Sequence, residues 1–315
     1  MTKSHIISAS QFDKKFVSGI FKITEKIQRS KNPFTALRGK VMATLFYEPS
    51  TRTRLSFESA MLRLGGQVIS TENASEFSSA AKGETLEDTI RVINCYADVI
   101  VLRHFTEGAS QIASEYSEVP IINAGDGKGE HPTQALLDLY TVFSNLGILK
   151  KSKLPKIIIA MVGDLANGRT IHSLSQLFRL YSNFELIYVA PPALAIPVSI
   201  KKLLEEKKIK FSETEDLKSA VRNADVIYQT RIQKERFVNE KTGESEYLKY
   251  FGKYIIDKKT LALVKKNAII MHPLPRINEI TQEVDKDSRA KYFDQVQNGL
   301  YVRMAILLYL FDKNV

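Results

Sequence analysis

The stretch KIIIAMVGD, residues 156–164, carries six consecutive apolar residues followed by a Gly-Asp pair. Residues 157–162 are rich in β-branched side chains, and such a short, wholly apolar run is typical of a strand buried on both faces of a sheet. Helical spacing follows directly, over residues 170–180. A buried strand that leads through a glycine turn into a helix indicates the repeating unit of a parallel α/β sheet.

The same alternation of apolar strands and helices occurs on both sides of this stretch. Predicted strands cover 41–46, 67–70, 98–102, 120–123, 156–162, 184–189, 225–229 and 268–271. Predicted helices cover 52–64, 84–96, 131–145, 170–180 and 300–311. This order predicts an α/β fold with two doubly wound parallel-sheet domains joined by helices. Residues 232–252 are charged and lack periodicity, so we expect a mobile loop there.

The size and composition fit a two-domain globular protein. The chain has 315 residues, of which 44% are hydrophobic and 25% charged, and this length suits two cores. No apolar run reaches the length of a membrane span, and the start MTKSHIISASQF lacks the pattern of a secretory signal. A single cysteine, Cys95, excludes a disulfide framework and a zinc knuckle. We therefore expect a cytoplasmic protein in which Cys95 is a small buried hydrophobic residue.

The net charge of +10 leaves three interpretations open: binding of nucleic acid, binding of small anions, or simple solubility. The lysines are scattered in pairs such as 201–202, 207–208 and 258–259, which are typical of solvated helix faces and turns. Because the chain has no basic tail with interleaved aromatics, we expect neither nucleic acid nor a membrane as a partner. The arginines are more informative, since several lie inside apolar or Gly/Pro-rich motifs.

The motif PSTRTR, residues 49–54, follows a predicted strand and opens a predicted helix. Ligands of doubly wound sheets bind at the carboxyl ends of strands, and a helix start offers free N–H groups and a positive dipole end to a phosphate. Ser50 can cap the helix, while Arg52 supplies a fork that matches phosphate oxygens. The plainer alternative is a capped helix with surface arginines. Arginines in a first turn oppose the helix dipole, however, which favours an anion site.

Six further motifs lie at predicted strand ends or in loops. They are SSAAKGE (78–84), RH (103–104), HPTQ (131–134), GDLANGRT (163–170), TRIQKER (230–236) and HPLPR (272–276). Taken singly, each also fits something plainer, such as a linker, a solvated pair, a structural histidine or a rigid proline loop. His131, near a helix start, is better suited to donate a hydrogen bond than to act as a base. GDLANGRT lacks the G-x-G-x-x-G spacing, which argues against a nicotinamide dehydrogenase.

Together these motifs resemble the aspartate and ornithine carbamoyltransferase family. The resemblance rests on STRT at 50–53, HPTQ at 131–134 and HPLPR at 272–276, in the family's order over essentially the whole chain. It implies one domain for carbamoyl phosphate, residues 1–134 completed by a C-terminal helix over 289–315. It implies a second domain for the other substrate over 135–288.

The branch of the family can also be chosen from the residues. GDLxxGRTxHS at 163–173 and TRxQxER at 230–236 resemble the aspartate branch, whereas the ornithine branch has a cysteine where Pro273 stands and an SMG loop. Two arginines suit a dicarboxylate and would repel a second ammonium. The resemblance implies transfer of the carbamoyl group of carbamoyl phosphate to the amine of L-aspartate, early in pyrimidine biosynthesis. It further implies a homotrimer with shared active sites, without metal or cofactor.

The resemblance also assigns roles to single residues. The implied carbamoyl phosphate site is Ser50, Thr51, Arg52, Thr53, Arg103, His131, Gln134, Pro273 and Leu274. The implied aspartate site is Ser78, Lys82, Arg169, Thr170, Arg231 and Gln233. The implied catalytic residues are Arg52, Thr53, Lys82, Arg103 and His131. Ser78 and Lys82 resemble the loop that the family lends to a neighbouring subunit, and Ser79 is an alternative to Ser78.

Two other kinds of protein stay open at this point. A carbamoyltransferase for another amine acceptor is disfavoured by Arg231 and Gln233. A non-catalytic subunit on the same fold would be indicated by loss of Arg52, Thr53, His131 or Lys82, and all four are present. The residues leave undecided whether separate regulatory chains bind or nucleotides control the activity.

Overall fold

The computed structural model describes residues 5–30, 34–72, 83–233 and 243–313. The chain divides into two compact units, one made of Met1–Tyr140 with Gln297–Val315 and one of Thr141–Val296. Each unit contains one sheet, and every strand pair in both sheets is parallel. The prediction of an α/β fold with two parallel sheets is confirmed.

The first unit holds a four-stranded sheet. Its strands are β1 (Val41–Phe46), β2 (Gln67–Glu72), β3 (Val99–His104) and β4 (Ile121–Asp126), in the order β2-β1-β3-β4. Its helices are α1 (Lys14–Arg29), α2 (Thr51–Arg63), α3 (Leu86–Asn94) and α4 (Ala109–Tyr116), and α5 (Pro132–Asn145) begins in this unit. Every residue of β3 and β4 is buried, as expected for strands covered on both faces.

The second unit holds a five-stranded sheet. Its strands are β5 (Ile157–Val162), β6 (Phe184–Val189), β7 (Lys210–Thr214), β8 (Val226–Gln229) and β9 (Ile269–Met271), in the order β7-β6-β5-β8-β9. Its helices are α6 (Arg169–Phe178), α7 (Val198–Glu206), α8 (Leu217–Asn223), α9 (Gly243–Tyr250) and α10 (Lys258–Leu261). The last helix, α11 (Tyr292–Leu310), begins here and ends in the first unit.

Both sheets have a point at which the strand order reverses. In the first unit the chain goes from β1 outward to β2, and then to β3 on the other side of β1. In the second unit it goes from β5 through β6 to β7, and then to β8 on the other side of β5. A crevice opens outside the carboxyl ends of the two strands at such a point, and ligands of doubly wound sheets bind there.

Several features differ from the sequence-based expectations, among them helices α1 and α4, which were not predicted. Gly243–Tyr250 is a helix, so the prediction of a loop over 232–252 is wrong for that part, while 234–242 lie outside the described residues. The last helix begins at Tyr292 instead of residue 300. Cys95 is exposed, because it caps the end of α3 instead of lying on its buried face. Strand β7 was not predicted, since its polar side chains are mostly exposed at a sheet edge.

None of the helices in the described ranges is both long and apolar enough to cross a membrane.

Candidate active site

The turn between β1 and α2 presents a helix N-terminus at the edge of the first sheet. Ser50 occupies the N-cap position, but its side chain makes no capping hydrogen bond. The hydroxyl is therefore not committed to the helix whose first N–H groups lack intrahelical partners. Thr53 is 7% exposed and Arg52 is exposed. This turn carries the hydroxyls, backbone donors and positive charge that a phosphate group needs.

The second arginine of this turn has a different position. Arg54 is half-buried and its Nη1 donates to the Ser70 hydroxyl at 3.3 Å. It also lies 3.9 Å from the Glu58 carboxylate, one helical turn further on. Arg54 therefore ties α2 to β2. Of the two arginines, Arg52 is the one left at the surface.

Arg103 is held at the end of β3, beside the last residue of β1. Phe46 and Arg103 are register partners, and the Arg103 carbonyl accepts the Tyr47 amide at 2.9 Å. The Arg103 guanidinium donates through Nη1 to the Ala124 carbonyl at 3.2 Å and lies 2.9 Å from Glu48 through Nη2. The side chain is 10% exposed. Arg103 is thus a buried, oriented cation at the point where the strand order reverses.

His131 and Gln134 lie at the start of α5, which follows β4. The His131 carbonyl accepts the amides of Gln134 and Ala135 at 3.0 and 3.1 Å, so this residue begins the helix, with Pro132 at its first position. His131 is 4% exposed. Gln134 is half-buried, and its Nε2 donates to the Asp138 carboxylate at 2.9 Å. That bond fixes which way the Gln134 amide faces.

A buried charge lies close to Asp138. Arg303 is 4% exposed, and its Nη1 donates to the Ser56 hydroxyl at 2.7 Å. Burial lowers the pKa of Arg303 to about 10, and the negative charge of Asp138 opposes that shift. The pair joins α11, α5 and α2 within the first unit. The positive charge of Arg303 therefore stabilises the Asp138 carboxylate, which in turn orients Gln134.

In the second unit the turn after β5 meets the end of β8. Gly163 has φ +118°, and a Cβ there would lie 2.3 Å from the Thr230 carbonyl oxygen, so only glycine permits this approach. The Thr230 amide and hydroxyl both donate to the Val162 carbonyl, at 2.8 and 3.0 Å. The glycine thus permits the close approach of the turn after β5 to the end of β8.

The loop that follows Gly163 is ordered by a buried carboxylate. Asp164 is fully buried and accepts the Asn167 amide at 3.0 Å. Burial raises the pKa of Asp164, and the hydrogen bonds from Asn167 counteract part of that shift. The loop ends at Arg169, the first residue of α6, which is half-buried. Gln233 donates through Nε2 to the Asn167 carbonyl at 3.4 Å, so the segment after β8 contacts this loop.

The second unit therefore gathers two arginines at its own reversal point. Arg169 follows β5 and Arg231 follows β8, the two neighbouring strands at which the order changes. Both side chains are half-buried, as is that of Thr170. Planar guanidinium groups bind carboxylates through paired hydrogen bonds. The arrangement is suited to a small dicarboxylate.

The loop after β9 has an unusual backbone. Leu274 has φ +54°, and the Leu274–Pro275 peptide bond is cis. Pro273 and Leu274 are half-buried. His272, just before them, is 1% exposed.

Comparisons with known proteins agree with these observations. Residues 4–144 match the family model described as aspartate/ornithine carbamoyltransferase, carbamoyl-P binding domain, and residues 155–310 match the Asp/Orn binding domain of the same family. The chain belongs to the aspartate/ornithine carbamoyltransferase family.

Individual relatives lie in the aspartate branch of that family. The chloroplastic aspartate carbamoyltransferase of Arabidopsis thaliana is 53% identical over 96% of this chain and 77% of its own length. The catalytic subunit of aspartate transcarbamoylase from M. jannaschii is 50% identical, with a TM-score of 0.87 and 98% of both chains covered. The aspartate transcarbamoylase of Trypanosoma cruzi, solved with carbamoyl aspartate and phosphate, is 39% identical, with a TM-score of 0.89 and coverage of 99% and 97%.

Most of the residues predicted from the family motifs lie at the two reversal points. In the first unit Ser50, Thr51, Arg52 and Thr53 follow β1, Arg103 lies at the end of β3, and His131 and Gln134 follow the edge strand β4; in the second unit Arg169 and Thr170 follow β5, Arg231 and Gln233 follow β8, and Pro273 and Leu274 follow the edge strand β9. Ser78, Ser79 and Lys82 lie outside the described residues. In the described ranges no three His, Cys, Asp or Glu side chains cluster as metal ligands would.

Three carboxylates at or beside these residues were not predicted from the family motifs. Asp138 lies four residues after Gln134, and helical spacing could have indicated it. Glu48 stands directly before the PSTRTR motif. A carboxylate would repel an anion bound there, so its presence in the sequence could have indicated a partner cation such as Arg103. Glu279 contacts His272 from seven residues away, and no local pattern reveals that pairing.

Proposed function

We propose that this chain transfers the carbamoyl group of carbamoyl phosphate to the amine of L-aspartate, giving N-carbamoyl-L-aspartate and phosphate, an early step of de novo pyrimidine biosynthesis. The observation that carries the proposal is that the first unit has a phosphate-type turn at its reversal point and the second unit has two arginines at its own. Membership of the family and the T. cruzi relative solved with carbamoyl aspartate and phosphate support it.

The first unit binds carbamoyl phosphate in this proposal. Ser50, Thr51, Arg52 and Thr53 hold the phosphate with the free N–H groups of α2. Thr53, Arg103 and His131 donate to the carbonyl oxygen and stabilise the oxyanion that forms on it. Gln134, and the backbone carbonyls of Pro273 and Leu274 in the second unit, accept hydrogen bonds from the carbamoyl NH₂.

The second substrate is bound through its charges. Arg169, Arg231 and Gln233 bind the two carboxylates of aspartate, and Thr170 adds a hydroxyl donor. Ornithine, with a second ammonium in place of one carboxylate, would be repelled by the arginines. Ser78 and Lys82, which lie outside the described residues, are assigned to aspartate on the family motif alone.

The chemistry needs orientation and charge stabilisation more than a dedicated base. The neutral aspartate amine attacks the carbonyl carbon, a C–N bond forms, and negative charge moves to the carbonyl oxygen. The C–O bond to phosphate then breaks, and the phosphate oxygen takes the proton released by the amine. Oriented donors such as Arg103 lower this barrier without rearranging during the step.

A homotrimer with shared active sites is part of the proposal. The family motif assigns Ser78 and Lys82 to a neighbouring subunit's site. Strand β2 is a sheet edge, and the apolar side chains of Leu62, Ile69 and Tyr96 near it are 59%, 40% and 60% exposed. Such a surface favours contact with another chain. Sedimentation should give a trimer, and Leu62→Arg should shift it towards monomer.

A cytoplasmic location is also proposed, because one cysteine in 315 residues fits a reducing compartment. Cell fractionation with an antibody to the chain tests it. Recovery in an organelle fraction would contradict it.

The function is tested by carbamoyl transfer with the purified chain. Carbamoyl phosphate is supplied with either L-aspartate or L-ornithine, and the wild type is compared with Arg231→Ala. Arg222→Ala, an exposed arginine on α8, is the matched control. Product from aspartate only, lost in Arg231→Ala and kept in Arg222→Ala, supports both the reaction and the carboxylate role.

Two other outcomes would each change the conclusion. Product from ornithine would overturn the choice of acceptor while leaving the phosphate site intact. No product from either amine, in a folded protein, would favour a non-catalytic member of the family.

A further inference from the structure

The loop after β9 carries a backbone conformation that its own residues disfavour. Leu274 has φ +54°, where the Cβ of an L-residue crowds the neighbouring carbonyl oxygen. Such a conformation persists only when surrounding contacts hold it. Contacts from neighbouring residues must therefore hold Leu274 in this conformation.

His272 supplies the central contact. The Leu274 amide donates to His272 Nδ1 at 2.7 Å, and His272 Nε2 lies 2.8 Å from the Glu279 carboxylate. Because Nδ1 accepts a hydrogen bond, the ring proton lies on Nε2 and is donated to Glu279. His272 is 1% exposed and Glu279 6% exposed, so water does not compete with either bond.

Glu279 ties the imidazole to the rest of the loop. Its second oxygen accepts the amides of Ile277 and Asn278, each at 3.1 Å. Its carbonyl accepts the Ile256 amide at 2.9 Å. Burial alone would raise the pKa of Glu279, but the hydrogen bond from His272 and the backbone amides that Glu279 accepts outweigh it, and the pKa lies below its ordinary value. Glu279 is therefore an anion at neutral pH.

The start of the loop is fixed as well. The His272 amide donates to the Gln295 side chain at 2.9 Å. Across the described residues, no donor lies within hydrogen-bond distance of the Pro273 or Leu274 carbonyl oxygens. Within the loop, the Leu274 N–H is hydrogen-bonded to His272. The carbonyl oxygens of Pro273 and Leu274 can accept hydrogen bonds from a ligand.

We propose that His272 is a positioning residue which, together with Glu279, holds the Pro273–Leu274 backbone so that its two carbonyls select the NH₂ of the carbamoyl group. This inference rests on the proposed function and adds a residue to it. His272 does not touch the substrate. Its effect reaches the substrate only through the orientation of the two carbonyls.

The inference predicts a selective change in ligand preference. Acetyl phosphate differs from carbamoyl phosphate by a methyl group in place of the NH₂, so it lacks the donors that these carbonyls would accept. The affinities of both ligands are measured by calorimetry for the wild type, His272→Ala and Glu279→Gln. We expect the preference of His272→Ala for carbamoyl over acetyl phosphate to fall about tenfold, since one hydrogen bond of this kind is worth about that factor.

Further variants separate positioning from general damage. His272→Asn keeps an acceptor near the position of Nδ1 for the Leu274 amide, so it should retain more of the preference than His272→Gln. His172→Ala removes another buried histidine of this unit, whose Nε2 lies 2.7 Å from the Leu165 carbonyl. Its ratio of the two affinities should stay at the wild-type value.

The outcomes distinguish this inference from the proposed function. A wild type without preference for carbamoyl phosphate over acetyl phosphate would contradict the proposed function itself. Suppose that the wild type prefers carbamoyl phosphate over acetyl phosphate. If the folded His272 variants keep that preference, or lose affinity for both ligands equally, the positioning role is wrong while the proposed function stands. His272→Asn serves as the decisive variant if His272→Ala fails to fold.

Discussion

Arg103 Nη2 lies 2.9 Å from the Glu48 carboxylate at the carboxyl edge of the first sheet. Nη1 of the same guanidinium donates to the Ala124 carbonyl. The protein therefore fixes the positions of both terminal nitrogens of the guanidinium before any ligand binds. A donor that is already oriented stabilises developing charge at no cost of rearrangement. In the proposed function, Glu48 and the Ala124 carbonyl therefore orient Arg103 towards the substrate's carbonyl oxygen.

The first prediction concerns Arg103→Lys. A lysine ammonium is a point charge and cannot keep both fixed contacts while facing a substrate oxygen. We expect kcat to fall about 10²–10³-fold, the usual effect of removing one oxyanion donor. Steady-state kinetics with both substrates measures it. Arg91→Lys, on the exposed face of α3, is the control, and a loss of less than about threefold for Arg103→Lys would refute the role.

The second prediction separates the two arginines of the PSTRTR motif. Arg52→Ala should raise KM for carbamoyl phosphate and weaken phosphate inhibition, because Arg52 is exposed at the helix start. Arg54→Ala should lower the free energy of unfolding by about 0.5–1 kcal/mol, since its contacts to Ser70 and Glu58 are partly exposed. Kinetics and urea unfolding test both variants. The opposite pattern would assign the phosphate to Arg54.

The carboxyl ends of the strands, where the motifs lie, could be predicted from the sequence because each depends on local signals. Apolar runs mark strands, and the Ser, Gly and Arg motifs directly after them mark the edge where ligands bind. Position along the chain indicated only that these motifs share the ligand-binding edge, whereas the grouping of Ser50 with Arg103, and of Arg169 with Arg231, came from the family resemblance. Residues that touch only after folding, such as Glu279 beneath His272, carry no such signal.

The elements that were missed have physical reasons. Strand β7 lies at a sheet edge and has no buried face, so it lacks both apolar continuity and alternation. Helix α9 lies within a charged segment in which local propensity, not a clear apolar stripe, marks the helix. Cys95 was expected to be buried, but it lies one residue beyond the end of α3 and is exposed.

The third prediction is a pH dependence of stability through His104. Burial lowers the pKa of this imidazole, whose Nδ1 accepts the Thr106 amide at 2.9 Å. The unfolded chain then binds more protons than the folded one at pH values between the folded pKa and the ordinary value of about 6.5. The stabilisation is complete above that range and is lost as pH falls through it.

Thermal unfolding from pH 7.5 to 5.5 measures this effect. His104→Asn keeps an acceptor for Thr106 but has no ionisable ring, so its Tm should decline less steeply than that of the wild type. Equal slopes would show that other groups govern the decline.

The fourth prediction concerns Gly163, at the contact between β5 and β8. A Cβ at this position would lie 2.3 Å from the Thr230 carbonyl oxygen and 2.7 Å from its hydroxyl. Thr230 is bound to Val162 by two hydrogen bonds and cannot move without breaking them. Gly163→Ala should therefore lower the free energy of unfolding by about 3 kcal/mol and displace Arg231, which follows Thr230.

Gly147→Ala is the matched control, because Gly147 also has a positive φ, +63°, but no atom lies within 4 Å of a Cβ there. It should cost only about 1 kcal/mol, the penalty of the backbone conformation itself. The difference between the two variants measures the contact with Thr230 together with the additional backbone strain at φ +118°. KM for aspartate should rise in Gly163→Ala and stay unchanged in Gly147→Ala. Equal losses of stability, with aspartate binding intact in both, would mean that the β5–β8 contact does not position Arg231.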